Sequence, residues 1–497
     1  MAREYLAPGV YTETVRPTGR PIEGVSTTTS VFLGEAIRGP VNKPVLITSW
    51  ADYIRLYAGG LDTPFVRDAD LAYAVYGFFQ NGGRRCYIVR VGRSPMRPDP
   101  GGEFTPRVAQ ASISTIPGLQ YVRARDEGAW GNNLVIDVER NEDGLSLDPN
   151  EELFNVIVRF RGERVEVWRN FGNDPDRRNY FERINLQSQF VEFYGGDKLV
   201  VGTYVLSGGQ DGSSPIDIDY LHALHNIVDL PDRNMIAIPG QTSRGVLRGL
   251  LDWCARDERT FPILEMPLFM TTQQARDERR WLGAAPRGAI YLPWFKVLDP
   301  LSPNGEPRIT PPSGHIVGVF ARQTNERGVH KAPAGVEADI RGIVEMVQNF
   351  SDGDSEILNP ASVNVVMRRP NYGVVVWGAR TLTTDRTMIY VSDQRLNTFI
   401  KQSLEEGTQW AVFEPNDERL WRALRVSCEE FLHVLWSVNG ALFGATAHEA
   451  FFVKCDAENN TQETIDRGFV FVDIGYAPVK PAEFVVLRIA HSMRSSD

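Results

Sequence analysis

Both ends of the chain are strand-like segments with no evident seat in a domain of their own. Val10, Tyr11, Thr12 and Val15 follow Pro8-Gly9 near the start, and Phe484, Val485, Val486 and Leu487 follow Pro481 near the end. β-Branched and aromatic residues of this kind favour extended, pleated backbone. Each segment hangs on a stretch broken by proline and glycine, with Pro17, Gly19, Pro21 and Gly24 at one end and Gly475, Pro478 and Pro481 at the other. Prolines extend such a leash and glycines let it turn, so these seven are the candidate hinge positions. A tethered strand at each terminus is suited to completing a neighbour's sheet, which points to a polymer rather than a solitary enzyme. The alternative is that both strands pair within their own domain, as terminal strands frequently do.

A length of 497 residues exceeds what one core serves and predicts several domains. The formal net charge is −10 and no basic run of five occurs, which argues against nucleic acid as a main partner. Cys86, Cys254, Cys428 and Cys455 are far apart and form no CxxC pair. Neither a zinc site nor a redox motif is indicated, and four reduced core residues are the expectation. The start has no apolar signal core, and no stretch approaches the roughly 20 apolar residues of a membrane span. The chain is expected to be assembled in the cytoplasm, without direct membrane insertion.

The fold class expected is mixed α/β, multidomain. Residues 1–24 form an N-terminal donor arm. Residues 25–94 form the first part of a core: strands over 30–35 and 44–48, a helix capped by Ser49 and carrying Tyr53, Ile54 and Tyr57, a helix from about Ala69, and a buried strand over 86–91. Prolines 95, 98 and 100 with Gly101-Gly102 then make a linker. Residues 95–206 are a β-rich insertion, with a hairpin of 154–160 and 164–168 around Arg161-Gly162-Glu163. Residues 207–375 alternate strand and helix, which predicts a parallel or mixed sheet. Residues 376–475 carry two strong helices, one with Leu396, Phe399, Ile400, Ser403 and Leu404 on a face and one with Leu420, Trp421, Leu424, Cys428, Phe431, Leu432, Leu435 and Trp436. Short strands are expected at 409–413, 451–455 and 468–474. Residues 476–497 form a C-terminal donor arm.

The search for chemistry finds little. Neither GxxxxGK[ST] nor GxGxxG is present, so no nucleotide fuel site is indicated, and neither GxSxG nor HExxH occurs. His222 and His225 stand three apart on a predicted helix without a third ligand, and His448-Glu449 has no nucleophile beside it. Arg276-Asp277-Glu278-Arg279-Arg280 is expected to be a solvated helix face. No catalytic, metal-binding or cofactor-binding residues are assigned, and no cofactor is expected.

An ordered set of strings then carries a resemblance. It includes Pro8-Gly9-Val10-Tyr11, Gly39-Pro40-Val41-Asn42, Trp130-Gly131-Asn132 and Leu206-Ser207-Gly208-Gly209. Further on come Arg327-Gly328-Val329-His330-Lys331-Ala332-Pro333, Gly378-Ala379-Arg380-Thr381-Leu382, Trp410-Ala411-Val412-Phe413-Glu414-Pro415-Asn416 and Phe452-Val453-Lys454-Cys455-Asp456. Together they make the chain similar to contractile tail sheath proteins of myophages and phage-tail-like injection systems. The resemblance implies a helical sheath of stacked rings of this chain around an inner tube protein, with baseplate and tail terminator or cap proteins as further partners. It also implies a discontinuous inner core made by the N- and C-terminal segments, a subtilisin-like topology in the middle domain and a variable outer insertion. Val10, Tyr11, Thr12, Val15, Phe484, Val485, Val486 and Leu487 would be the exchanged strand residues. Glu405, Glu406, Glu429 and Glu430, on the two helices of the part expected innermost, are the candidate tube-facing residues. A static strand-exchanged filament or shell is the rival among polymers, and a hydrolase-type enzyme built on 216–375 is the rival outside them.

Overall fold

A computed structural model describes residues 20–59, 65, 69–97, 106–113, 120–141, 152–195, 198–302 and 304–484. The chain divides into two compact units, residues 26–395 and residues 1–25 with 396–497.

The larger unit is organised by one eight-stranded sheet. Its spatial order is Gly373–Val376, Val363–Arg369, Ala289–Leu292, Phe261–Glu265, Met235–Ala237, Ser30–Gly34, Cys86–Arg90 and Pro44–Ile47. The six inner strands run parallel and the strand at each edge is antiparallel to its neighbour. Parallel strands are covered on both faces, so their sequences are apolar throughout and side chains simply alternate between two cores. Phe32 and Ile88 point into the first core with Tyr53, Phe78, Tyr291 and Phe320. Val31, Leu33 and Val89 point into the second with Leu224, Val246, Leu250 and Leu264.

The first core is closed by the helices Leu71–Gln80 and Ser313–Arg327, which touch backbone to backbone. Ser49 caps the helix Trp50–Tyr57 as expected, its side chain accepting from the Asp52 amide. Of the charged run at 276–280, Arg279 turns inward and donates to the Leu382 carbonyl at 2.9 Å, so that face is not wholly solvated.

The insertion is β-rich, as its alternation requires. It holds a four-stranded antiparallel sheet in the order Gly202–Val205, Leu134–Arg140, Phe154–Phe160, Glu163–Phe171, and a three-stranded one in the order Gln110–Ser112, Tyr121–Ala124, Val191–Tyr194. The hairpin turns at Arg161 and Gly162, both at positive φ, which is the two-residue geometry matched to strand twist. Arg38 pins the insertion to the sheet unit. Its Nε donates to the Ala58 carbonyl at 2.7 Å while its guanidinium lies 4.2 Å from the Phe190 ring centre.

The division differs from the one expected. Residues 25–94 do not pair with the C-terminal block as a shared core; their three strands extend the sheet made by residues 235–376. Strand-to-strand hydrogen bonding decided this, and local periodicity carries no information about which strands pair. The discontinuous unit exists, but its N-terminal contribution ends at Val25.

In the smaller unit, Leu396–Gly407 is the latter part of the helix Val391–Gly407, and it is followed by the 20-residue helix Glu418–Ser437. Asp417 starts the second helix by accepting from the Arg419 and Leu420 amides at 2.9 and 3.0 Å. Residues 409–411 form a single 3₁₀ turn instead of the strand expected at 409–413, and Phe413 closes it at a φ of 66°. The unit's sheet has two antiparallel strands, Phe451–Lys454 and Asp473–Tyr476. The expected strand over 468–474 therefore begins only at Asp473, five residues late.

Candidate assembly surface of the C-terminal unit

A two-stranded sheet is marginal by itself in water. The pair Phe451–Lys454 and Asp473–Tyr476 has no further strand beside it among the described residues. Behind it, the helix Glu418–Ser437 turns Leu424, Cys428, Phe431, Leu432 and Leu435 inward. Phe452 is opposite Gly475, and its ring lies so near that a Cβ at 475 would be 2.1 Å from the Phe452 Cε1. Gly475 is thus a strand residue, corrected from its expected place as a hinge. Pro478 forms an isolated bridge with Leu442, next to the Val479 amide bonded to the Ala441 carbonyl at 3.1 Å. Pro481 lies in irregular backbone, half-buried.

The unit exposes several large apolar side chains. Val412, Phe413, Val438, Phe443, Phe452, Phe469, Phe471 and Phe484 are all more than 45 % exposed, and Phe413 is wholly exposed. Phe469 and Phe471 stack with centroids 6.0 Å apart. The two loops bearing Phe413 and Phe469 are tied together by Asn416, whose amide donates to the Phe469 carbonyl at 3.0 Å. Exposed aromatics on loops tied together in this way make the region a candidate interaction surface.

Among the strand-exchange candidates, Val10, Tyr11, Thr12, Val15, Val485, Val486 and Leu487 lie outside the described residues, as do Pro17 and Gly19. Phe484 is the last described residue, and it is exposed. Pro21 and Gly24 lie in a segment laid across the two helices rather than in a free tether: the Arg20 amide donates to Ser427 Oγ at 2.9 Å and the Val25 amide to Ser403 Oγ at 3.1 Å. Ser403 falls on the helix face read from the sequence, but nothing there indicates its partner; Ser427 gives no signal at all, because a polar residue on an apolar helical face is not periodic. Glu405, Glu406 and Glu430 are exposed, and Glu429 is half-buried.

A cavity of about 220 Å³ at the base of the insertion is lined by Glu35, Arg90, Arg93, Glu127, Asp211 and Ser213, among others. Arg90 is committed there to the carbonyls of Gly39 and Glu127 at 3.1 and 2.9 Å, and the Ser213 hydroxyl is held by Arg97 at 2.7 Å rather than by a base. Glu449 serves as a cap, accepting from the Ala445 amide at 2.8 Å. No group of three potential metal ligands occurs among the described residues. All four cysteines are buried and unpaired. No helix among the described residues is long and apolar enough to cross a membrane.

Comparison with known proteins gives concordant matches. Residues 218–382 match the family model described as the phage tail sheath protein central domain, and residues 383–491 that of the phage tail sheath C-terminal domain. The chain is 25 % identical over 261 residues to a prophage major tail sheath protein of Pseudomonas aeruginosa, covering 51 % of this chain and 64 % of that one. It is 28 % identical over 180 residues to the tail sheath protein of Escherichia phage P2, covering 35 % and 43 %. The matches thus span less than two thirds of these relatives' own lengths. The fold is similar to that in the contracted sheath complex of an extracellular contractile injection system called PVC, with a TM-score of 0.61, 22 % identity and 99 % of each chain covered. At that identity the likeness is one of fold.

Proposed function

This chain belongs to the phage tail sheath family, and from that premise we propose that it is the subunit of a contractile sheath. In this reading its copies stack as rings around an inner tube, hold a metastable extended state, and drive the tube forward when they rearrange. A baseplate and a terminal cap would bound the stack.

The observation that carries the reading is the two-stranded sheet of the C-terminal unit with its several exposed apolar side chains, in the unit that also holds residues 20–25 and the described stretch up to Phe484. Added strands would give that sheet the size it lacks. A six-residue strand laid on an edge forms about five backbone hydrogen bonds, each worth on the order of 1 kcal/mol net. With two strands donated and two accepted per copy, the lattice stays joined while subunits rotate. Force would come from burying more surface between subunits in the short state than in the long one. Energy is then stored at assembly, in keeping with a sequence that has no phosphate-binding loop.

Deleting residues 1–19 is the test. The truncated chain is expected to be folded and soluble and to form no long sheaths in electron micrographs; sheaths of normal length would refute strand exchange by the N-terminal arm. Micrographs of the intact protein showing one sheath length under all conditions would favour a static polymer.

A further inference from the structure

We infer that residues 20–25 are an anchoring strap, and that Ser403 and Ser427 are the positioning residues that fix where the N-terminal segment leaves its own subunit. The inference rests on the strand-exchange reading above.

Alternate residues of the strap meet the helices, as extended backbone dictates. The Arg20 guanidinium lies 4.7 Å from the Trp410 ring centre. Ile22 fits against Gly407, where a Cβ would come within 2.5 Å of the Ile22 Cγ2. Gly24 fits against Phe399, where its own Cβ would be 2.8 Å from Cζ. Pro21 and Glu23 between them are exposed, Arg20 and Gly24 stay exposed on their outer side, and Ile22 and Val25 are half-buried. The two ends of the strap are closed by hydrogen bonds from the Arg20 and Val25 amides to Ser427 and Ser403. Both serines are completely buried. A serine inside a helix commonly turns its hydroxyl onto a carbonyl of the preceding turn. Here each hydroxyl accepts from a segment 407 or 378 residues away in sequence, one on each helix. Tension on a strand held by a neighbour would pass through this strap into both helices, so Pro21 and Gly24 belong to the anchor and not to a hinge.

The Glu23–Gly24 bond is a built-in reporter, since a Glu-specific protease cuts it only when the strap has lifted away. The full-length Ser403→Ala/Ser427→Ala variant is compared with the wild-type protomer, and Gly24→Leu is a second variant that keeps both hydroxyls and strikes Phe399. Each hydrogen bond shifts the opening equilibrium by roughly fivefold, so cleavage at Glu23 is expected to accelerate by about tenfold or more in the double variant. Unchanged helical circular dichroism would accompany it, alanine being a good helix former. Cleavage at the wild-type rate in both variants overturns the strap. Rapid cleavage in a variant whose sheaths keep full length and resist shear overturns its role in assembly. The protease assay is read on protomers, so its failure sinks the strap alone, whereas a wild-type protein that forms no polymer sinks the strand-exchange reading.

Discussion

Gly314 rests directly on the backbone of Ala74: a Cβ added at 314 would lie 2.4 Å from the Ala74 Cα and 2.2 Å from its carbonyl oxygen. One turn on, a Cβ at Gly318 would be 2.6 Å from the Phe78 carbonyl oxygen, and across the contact Gly77 lies under the His315 ring. Backbone atoms cannot swing aside as a side chain can, so this helix pair has no room to accommodate a methyl group. Gly314→Ala is expected to destabilise the larger unit by about 1–3 kcal/mol, read as a lower urea midpoint at unchanged slope. Gly353→Ala is the control. That glycine lies in the helix Asp352–Leu358 with only the Ser351 Oγ nearby, at 3.8 Å from the added Cβ. The substitution should be neutral or stabilise by up to about 1 kcal/mol.

Glu265 ends an inner strand of the parallel sheet with its carboxyl fully buried, accepting from the Ser313 amide at 3.3 Å and from the Gly240 amide. Burial pushes its pKa up to about 8. The folded state therefore holds this proton where the unfolded chain, near 4.5, has released it. Stability is fully present below about pH 4.5, falls as pH rises toward about 8, and is level above that. His315, which burial pushes down to about 4, has the opposite slope between about 4 and 6.5, so the effect of Glu265 is cleanest above pH 6.5. Glu265→Gln keeps the shape without the titration. Urea midpoints at pH 6.5 and 9 should differ by less in the variant than in the wild type, and an equal loss in both would mean that Glu265 does not carry the slope.

What the sequence disclosed and what it concealed divide along a physical line. Capping by Ser49, the buried run at 86–91, the alternation of 154–160 and the apolar stripe from Leu420 to Leu435 are local signals, and each became the element expected. Pairing is not local. Ser30–Gly34 lies between Cys86–Arg90 and Met235–Ala237, a neighbour some 200 residues away, which is why residues 25–94 were placed in the wrong unit. Trp410 to Phe413 has the composition of a strand, but capping of the next helix by Asp417 and the bond from Trp421 to Asn416 at 2.8 Å bend it into a turn. Of the proposed assembly surface, the sequence pointed only to the strand-like termini, most of whose residues lie outside the described ones. The exposed aromatics of the C-terminal unit look like core residues in one dimension, since periodicity cannot distinguish a face buried at home from one kept for a partner.

Glu429 and Glu430 stand on the long helix of the C-terminal unit, half-buried and exposed respectively. If they meet the tube, Glu429→Lys/Glu430→Lys should leave the protomer's melting temperature within a few degrees, as surface changes usually do. Co-sedimentation with the tube protein should fall at least tenfold at low salt and differ less from wild type as salt rises, because exposed charges are screened over about 10 Å at 0.1 M. Undiminished co-sedimentation at low salt would move the tube contact elsewhere.

Phe413 combines two unfavourable features. Its φ of 66° is a left-handed conformation that costs an L-residue roughly 1–2 kcal/mol, and its ring is wholly exposed and so contributes no burial in return. The loop is held in this shape from both sides, by Asn416 bonded to Trp421 and to the Phe469 carbonyl, and by the Glu414 amide bonded to the Ala411 carbonyl at 3.2 Å. Strain of this kind persists where a site must present a group in one orientation. Phe413→Gly should therefore stabilise the isolated protomer by about 1 kcal/mol, since glycine enters this region freely, and a thermal melt should shift upward. The same variant should polymerise poorly, because the displayed ring is gone while the fold is intact. A protomer that melts lower would mean that the ring contributes at home, and one that melts higher and still polymerises as the wild type does would leave the strained loop without a role in assembly.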